Sequence, residues 1–252
     1  MLYIILAFGK SGTTLISQTL HKSGIAMVDD ENIAGGYDQG NFYEREISLN
    51  INRELLSMGN GRRDSLVFPN LSNLAFTPKQ AKQIEEFIEN KELLRKDWGI
   101  KDPRMSLTYP LWEPFLPEHK LIVVYRHLDE IVCHYRRNHR WPKTAIISLA
   151  ALHSWRIYNS RILEILERTS KANLILNYQR FMQNDEEMNR LNRFVGNDMR
   201  DLRNPEQYRS KCNSLSFINS ADPLLSLSRN ASPKRLFSQL EESRNSQIQK
   251  NN

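Results

Sequence analysis

Ala7–Thr14 reads A-F-G-K-S-G-T-T and directly follows the apolar run Leu2–Leu6. A strand that ends in a glycine-containing turn and opens into a helix aims several backbone N–H groups at one point. The positive end of the helix dipole faces the same point, which makes a site for phosphate or sulfate. Leu15, Ile16 and Leu20 continue the pattern at helical spacing, and Gly24 stands where such a helix would stop. Gly9 and Gly12 are expected to adopt conformations that a side chain would obstruct. A triphosphate-binding loop, G-x-x-x-x-G-K-[ST], places its lysine directly after the second glycine. Here Thr13 follows Gly12, and the lysine, Lys10, stands two residues before that glycine. The positive charge therefore enters from the front of the loop. An ordinary strand–helix turn that happens to carry Lys and Ser is the plain alternative for this segment.

Working outward, strand-like runs recur at Leu2–Ala7, around Trp98–Lys101, at Leu121–Tyr125 and at Leu174–Leu176. Helical spacing links Ala81, Ile84 and Ile88 in 78–95, and Leu128, Ile131, Val132 and Tyr135 in 127–139. A long helix is expected from about Thr144 to Arg168, after Pro142. Short apolar strands alternating with helices specify an α/β fold, a parallel sheet flanked by helices on both faces. Ligands of such folds collect at the carboxyl ends of the strands. Gly9–Thr14, Asp102–Arg104 and Arg126 all fall at such ends and are expected to converge. Residues 1–212 are read as one α/β domain, and 213–252 as a C-terminal extension. From about Asn213 the chain is rich in Ser, Asn and Gln, and Glu241–Asn252 is read as a mobile polar tail.

The 252 residues are 40% hydrophobic and 25% charged, with a formal charge of +6, which suits a globular protein with an anionic ligand. The basic residues are scattered, so a nucleic-acid partner is not expected. Two cysteines far apart, Cys133 and Cys212, argue against a disulfide framework and a zinc site. Met1–Phe8 is too short for a signal peptide and no run reaches the roughly 20 apolar residues of a membrane span. A cytoplasmic protein is the expectation.

Three segments stand together: F-G-K-S-G-T-T at 8–14, W-G-I-K-D-P-R at 98–104 and V-V-Y-R-H-L-D-E-I-V at 123–132. With G-Y-D-Q-G-N-F-Y-E at 36–44 and L-N-Y-Q-R-F at 176–181, their order and spacing resemble the sulfotransferases that use 3′-phosphoadenosine 5′-phosphosulfate (PAPS). The match is to the bacterial branch with a K-D-P-R motif, over roughly residues 1–196. The resemblance implies a P-loop-type fold, PAPS as co-substrate, no metal, and a small-molecule or glycan acceptor. It implies that Gly9, Lys10, Ser11, Gly12, Thr13 and Thr14 hold the 5′-phosphosulfate, with Lys10 neutralising charge on the bridging oxygen. It likewise implies that Arg126 binds the 3′-phosphate and that Lys101 stabilises the transferring sulfuryl group. Fixed charge of this kind suits a reaction with little covalent work for the protein.

Two positions depart from the family. The second 3′-phosphate ligand, usually Ser, is His134 here, and the His that serves as base in one branch is replaced by Pro103. Glu44 matches a base position of other branches and is the first candidate, with Asp102 second. The plainer readings are a first-turn acid for Glu44 and a loop-ordering pair for Asp102 and Arg104. The tryptophans Trp98, Trp112, Trp141 and Trp155 either line an acceptor pocket or pack in the core. The basic loop that closes over the donor is not recognisable; Arg203, Arg209, Lys211, Lys234 and Arg235 are its candidates. Two alternatives remain at this level: a P-loop kinase, and a relative that binds nucleotide without turnover.

Overall fold

Leu2–Ala7 forms β1, and all six of its residues are buried. Such a strand has no solvent face, and its alternate side chains feed two separate cores. Leu2, Ile4 and Leu6 join one cluster, while Tyr3, Ile5 and Ala7 join the other. The computed structural model describes residues 1–30, 43–57, 71–137, 143–208 and 232–250. Three further strands complete a parallel sheet: β2 (Trp98–Lys101), β3 (His119–Tyr125) and β4 (Asn173–Asn177), in the order β2-β1-β3-β4. Leu2 pairs with Trp98 on one side and with His119 on the other, and Leu121 pairs with Asn173. The chain leaves β1 toward β2, then crosses back to β3. The crevice at the carboxyl ends of β1 and β3 is thus the place where this topology favours a ligand.

Nine helices are described: α1 (Thr13–Lys22), α2 (Glu46–Leu55), α3 (Pro78–Leu93), α4 (Met105–Trp112), α5 (Leu128–Arg137), α6 (Lys143–Arg168), α7 (Tyr178–Gln183), α8 (Glu186–Val195) and α9 (Pro233–Lys250). The cluster containing Leu2, Ile4 and Leu6 is closed by side chains of α3, α4, α5, α6 and α9. Side chains of α1, α7 and α8 close the other. The expected strands and helices are present, shifted by a residue or two at their ends. The α1 terminus follows the expected chemistry: Gly24 has φ +98°, its N–H donates to the His21 carbonyl, and the Ile25 N–H donates to the Leu20 carbonyl. Thr77 and Gln80 cap α3 reciprocally, ahead of Pro78.

The C-terminal segment differs from its expectation. Residues 233–250, including most of the stretch read as a mobile tail, form α9, which packs on β4 and α6. Leu236, Leu240 and Arg244 make one buried stripe at four-residue spacing. Arg244 is fully buried, with Nε on Glu187 and a terminal nitrogen 2.9 Å from Glu186. Gln247 closes the free edge of β4, accepting from the Ile175 N–H (3.0 Å) and donating to the Asn173 carbonyl (3.1 Å). A helix that docks through an arginine and a glutamine looks polar in sequence. Cys133 is disulfide-bonded, whereas the distance between the two cysteines in sequence argued against a disulfide framework. Among the described residues no helix is long and apolar enough to cross a membrane.

Candidate active site

The loop between β1 and α1 is built on two left-handed residues, Lys10 (φ +68°) and Gly12 (φ +92°). Gly9 is not one of them, so the unusual backbone falls on Lys10 instead. Gly12 also has a steric reason to be glycine: a Cβ there would sit 2.0 Å from the ring of Tyr178. Ser11 is buried, and its hydroxyl has no hydrogen-bond partner. A buried hydroxyl without a partner costs free energy unless water or a ligand meets it. Thr13 is buried in the first turn of α1, Thr14 is half-buried, and the Lys10 side chain is exposed.

Arg126, just past β3, donates from a terminal nitrogen to the Lys10 carbonyl (3.1 Å). The predicted convergence of these two strand ends is therefore present. Its Nε donates to Glu130 (2.7 Å), and its guanidinium lies 5.0 Å from the Tyr178 ring and 5.6 Å from the Tyr208 ring. Burial pulls the Arg126 ionisation down, but Glu130 and the two tyrosines more than reverse it, and the net direction is upward. Trp155, from α6, donates to the Arg126 carbonyl (3.1 Å) and fixes the backbone. His134 lies in the second turn of α5, half-buried, with its ring 5.8 Å from that of Tyr135.

A second cluster forms at the end of β2. Lys101 pairs with Glu44 (3.0 Å), Arg104 pairs with the other oxygen of Glu44 (3.4 Å), and Arg104 Nε lies 3.1 Å from Asp102. The four side chains are 5% exposed or less and sum to zero charge. Asp102 also accepts from the Arg104 N–H (3.0 Å) and from Asn52 (2.8 Å). Burial, joined by the charge of Glu44, pushes its carboxyl above the ordinary range; Arg104 and Asn52 oppose this without reversing it. Asp102 thus orders the turn into α4. Pro103 and Arg104 carry that turn onward, and Ser106 exchanges two hydrogen bonds with the backbone of Ala7 (2.8 and 3.0 Å). That exchange couples the K-D-P-R turn to the end of β1.

Several residues of the site carried no motif signal. Arg45 holds Glu44 in place by donating to the carbonyls of Gly99 and Ala26 and pairing with Asp29. Asn52, on α2, bonds Asp102, Thr108 and Trp112 at 2.8 Å each. Glu130 and Tyr208 surround Arg126. Arg45, Asn52 and Tyr208 leave no spacing to read, whereas Glu130 and Tyr178 stood inside quoted motifs without a role read for either.

Among the predicted candidates for closing over the donor, Arg203 is already committed. Its five N–H bonds serve Asp201, Asp185 and the carbonyls of Phe181 and Asn184. Lys234 and Arg235 are exposed on α9, while Arg209 and Lys211 lie outside the described residues. Trp98, Trp112 and Trp155 are core residues; Trp141 lies outside the described residues, as does most of 36–44.

The sulfotransferase domain from the Synechococcus PCC 7002 olefin synthase superposes with a TM-score of 0.52 at 16% identity, covering 96% of this chain and 93% of that domain. The chain has the sulfotransferase fold. A sulfotransferase domain from the curacin biosynthetic pathway is also similar, with TM-score 0.47, 16% identity, and 93% and 88% coverage of the two chains. So is a sulfotransferase from Mycobacterium avium, with TM-score 0.49, 14% identity, and 77% and 63% coverage. No protein-family model matches the sequence, and no curated protein matches it. The sulfotransferase fold accounts for the sheet order and for the location of the crevice.

Proposed function

We propose that this protein is a sulfotransferase that moves a sulfuryl group from PAPS to a hydroxyl or amine of a carbohydrate, lipid or small metabolite. The observation that carries the reading is the bond from Arg126 to the Lys10 carbonyl. It joins a loop shaped for a 5′-phosphosulfate to an arginine placed for a second phosphate of the same ligand. The orphan Ser11 hydroxyl fits this, since a phosphosulfate oxygen supplies its missing partner.

In this reading the acceptor oxygen attacks sulfur while the S–O bond to the donor breaks, and adenosine 3′,5′-bisphosphate leaves. Lys10 and the N–H groups of Gly12–Thr14 neutralise the charge that builds on the leaving oxygen. Glu44 takes the acceptor proton. It is held between Lys101 and Arg104, so protonation removes the charge that binds Lys101 and frees its ammonium for the transferring group. Asp102, fully buried and bonded to Asn52 and Arg104, keeps the turn in place and is not the preferred base. His134 is the proposed second contact to the 3′-phosphate. The loop lacks the lysine of a triphosphate site, and no metal is assigned to the reaction.

Calorimetry tests the donor. Adenosine 3′,5′-bisphosphate should bind far more tightly than AMP or ATP, and Arg126→Ala should weaken it about tenfold or more, since bonds to a charged group contribute roughly 1.5–3 kcal/mol. Equal affinity for AMP and the bisphosphate would sink the assignment.

A further inference from the structure

The contacts of Arg126 can be counted. A guanidinium has five N–H bonds; Nε spends its one on Glu130 (2.7 Å) and one terminal nitrogen spends one on the Lys10 carbonyl (3.1 Å). Among the described residues the other three have no acceptor; one is on the nitrogen that bonds Lys10 and two are on the other terminal nitrogen. Tyr178 and Tyr208 also stand close to the guanidinium, with ring centroids 5.0 and 5.6 Å from its carbon and the two rings at 74° to each other. Glu130 is itself fixed: the Tyr208 hydroxyl donates to the same carboxylate oxygen, at 2.7 Å. Tyr208 arrives from the segment after α8, which Arg203 ties to α7 and to the turn before α8.

Two opposite roles are open to a carboxylate in this position. It either competes with an incoming phosphate for Arg126, or it occupies the edge the phosphate does not need. The geometry favours the second. Glu130 sits on Nε and leaves three terminal N–H bonds for a phosphate, which a planar fork matches through two parallel N–H bonds. We infer that Glu130 and Tyr208 are positioning residues that lock Arg126 with its terminal edge presented to the donor's 3′-phosphate, and so set the preference for a 3′-phosphorylated nucleotide. This rests on the sulfotransferase reading of the site. It also gives the segment around Tyr208 a part in donor recognition without touching the donor.

The experiment is calorimetric titration of the full chain and three variants with adenosine 3′,5′-bisphosphate and, separately, AMP. Glu130→Ala lets the guanidinium swing and should weaken the bisphosphate about tenfold, leaving AMP unchanged. Glu130→Gln keeps an acceptor for Nε and should retain the wild-type preference. Tyr208→Phe keeps the ring and removes only the hydroxyl; it should lower bisphosphate affinity about threefold, again sparing AMP. Tyr208→Phe carries the test even if Glu130→Ala fails to fold. Tighter or unchanged bisphosphate binding in Glu130→Ala would show a competing carboxylate and overturn the inference. Equal weakening of both nucleotides, or a loss in Glu130→Gln as large as in Glu130→Ala, would overturn it too. A wild-type protein that does not distinguish the two nucleotides would instead remove the sulfotransferase reading, and the inference with it.

Discussion

At the residue scale, Glu44 and Asp102 show how two carboxylates in one cluster come to differ. Glu44 touches two cations and no hydrogen-bonded turn, whereas Asp102 caps the turn into α4 and bonds Asn52. Glu44→Gln should therefore lower turnover about 10²–10⁴-fold while bisphosphate binding stays within a few fold, as expected for loss of a positioned base. Near-normal turnover in that variant, beside an inactive Asp102→Asn, would move the base to Asp102. The two should also separate in stability against pH. Asp102 holds its proton more tightly folded than unfolded, because burial outweighs its partners. Its contribution thus declines as pH rises from the unfolded value through the raised folded one. Urea midpoints across the acid range should show this decline in the wild type and not in Asp102→Asn; parallel curves would contradict the assignment. Lys10 and Arg126 were legible because their motifs place them at strand ends. Glu130 was not, since its distance from Arg126 is an ordinary helical i, i+4 spacing that fits any surface ion pair.

At the element scale, the turns after β1 and β2 are stitched into one unit. Ser106 bonds both backbone groups of Ala7, and Asn52 ties α2 to the K-D-P-R turn and to α4. Asn52→Leu removes three buried hydrogen bonds and strands the Trp112 indole N–H, while Thr108 and Asp102 keep Arg104, so it should destabilise the chain by about 3 kcal/mol in chemical denaturation. A loss under 1 kcal/mol would show that these contacts do not hold the site. Gly12→Ala faces both a left-handed backbone and the Tyr178 ring. It should abolish bisphosphate binding, and the backbone alone costs about 1–2 kcal/mol. The strands, α1, α3 and the long α6 were readable because apolar periodicity and end signals agree there. The conformation of Lys10 was not, as no sequence rule assigns a left-handed backbone to lysine ahead of a neighbouring glycine.

At the scale of the whole molecule, the sheet has two covered faces and one edge that would lie open but for α9. The helix is anchored by Arg244 on Glu186 and Glu187, by Gln247 on the β4 backbone, and by Glu241, which receives bonds from Tyr125 (2.5 Å) and Asn177 (2.6 Å). Composition alone made this segment look like a tail, because few of its residues are apolar and the buried ones, Pro233, Leu236 and Leu240, all precede Glu241. Arg244→Ala removes one of the two buried cations on Glu187, which keeps Arg190, and should destabilise by about 1.5–3 kcal/mol. A chain ending before Glu241 should melt well below the full chain, where a mobile tail would make no difference to calorimetric unfolding.

The central claim joins these scales: the crevice at the ends of β1 and β3 handles a sulfuryl donor. Its most direct test is mass spectrometry of a cell extract incubated with the protein, PAPS and EDTA. The account predicts new ions heavier by one sulfuryl group, formed without a divalent metal and missing when Lys10→Ala replaces the wild type. No such product, or transfer that appears only with ATP and magnesium, would contradict it.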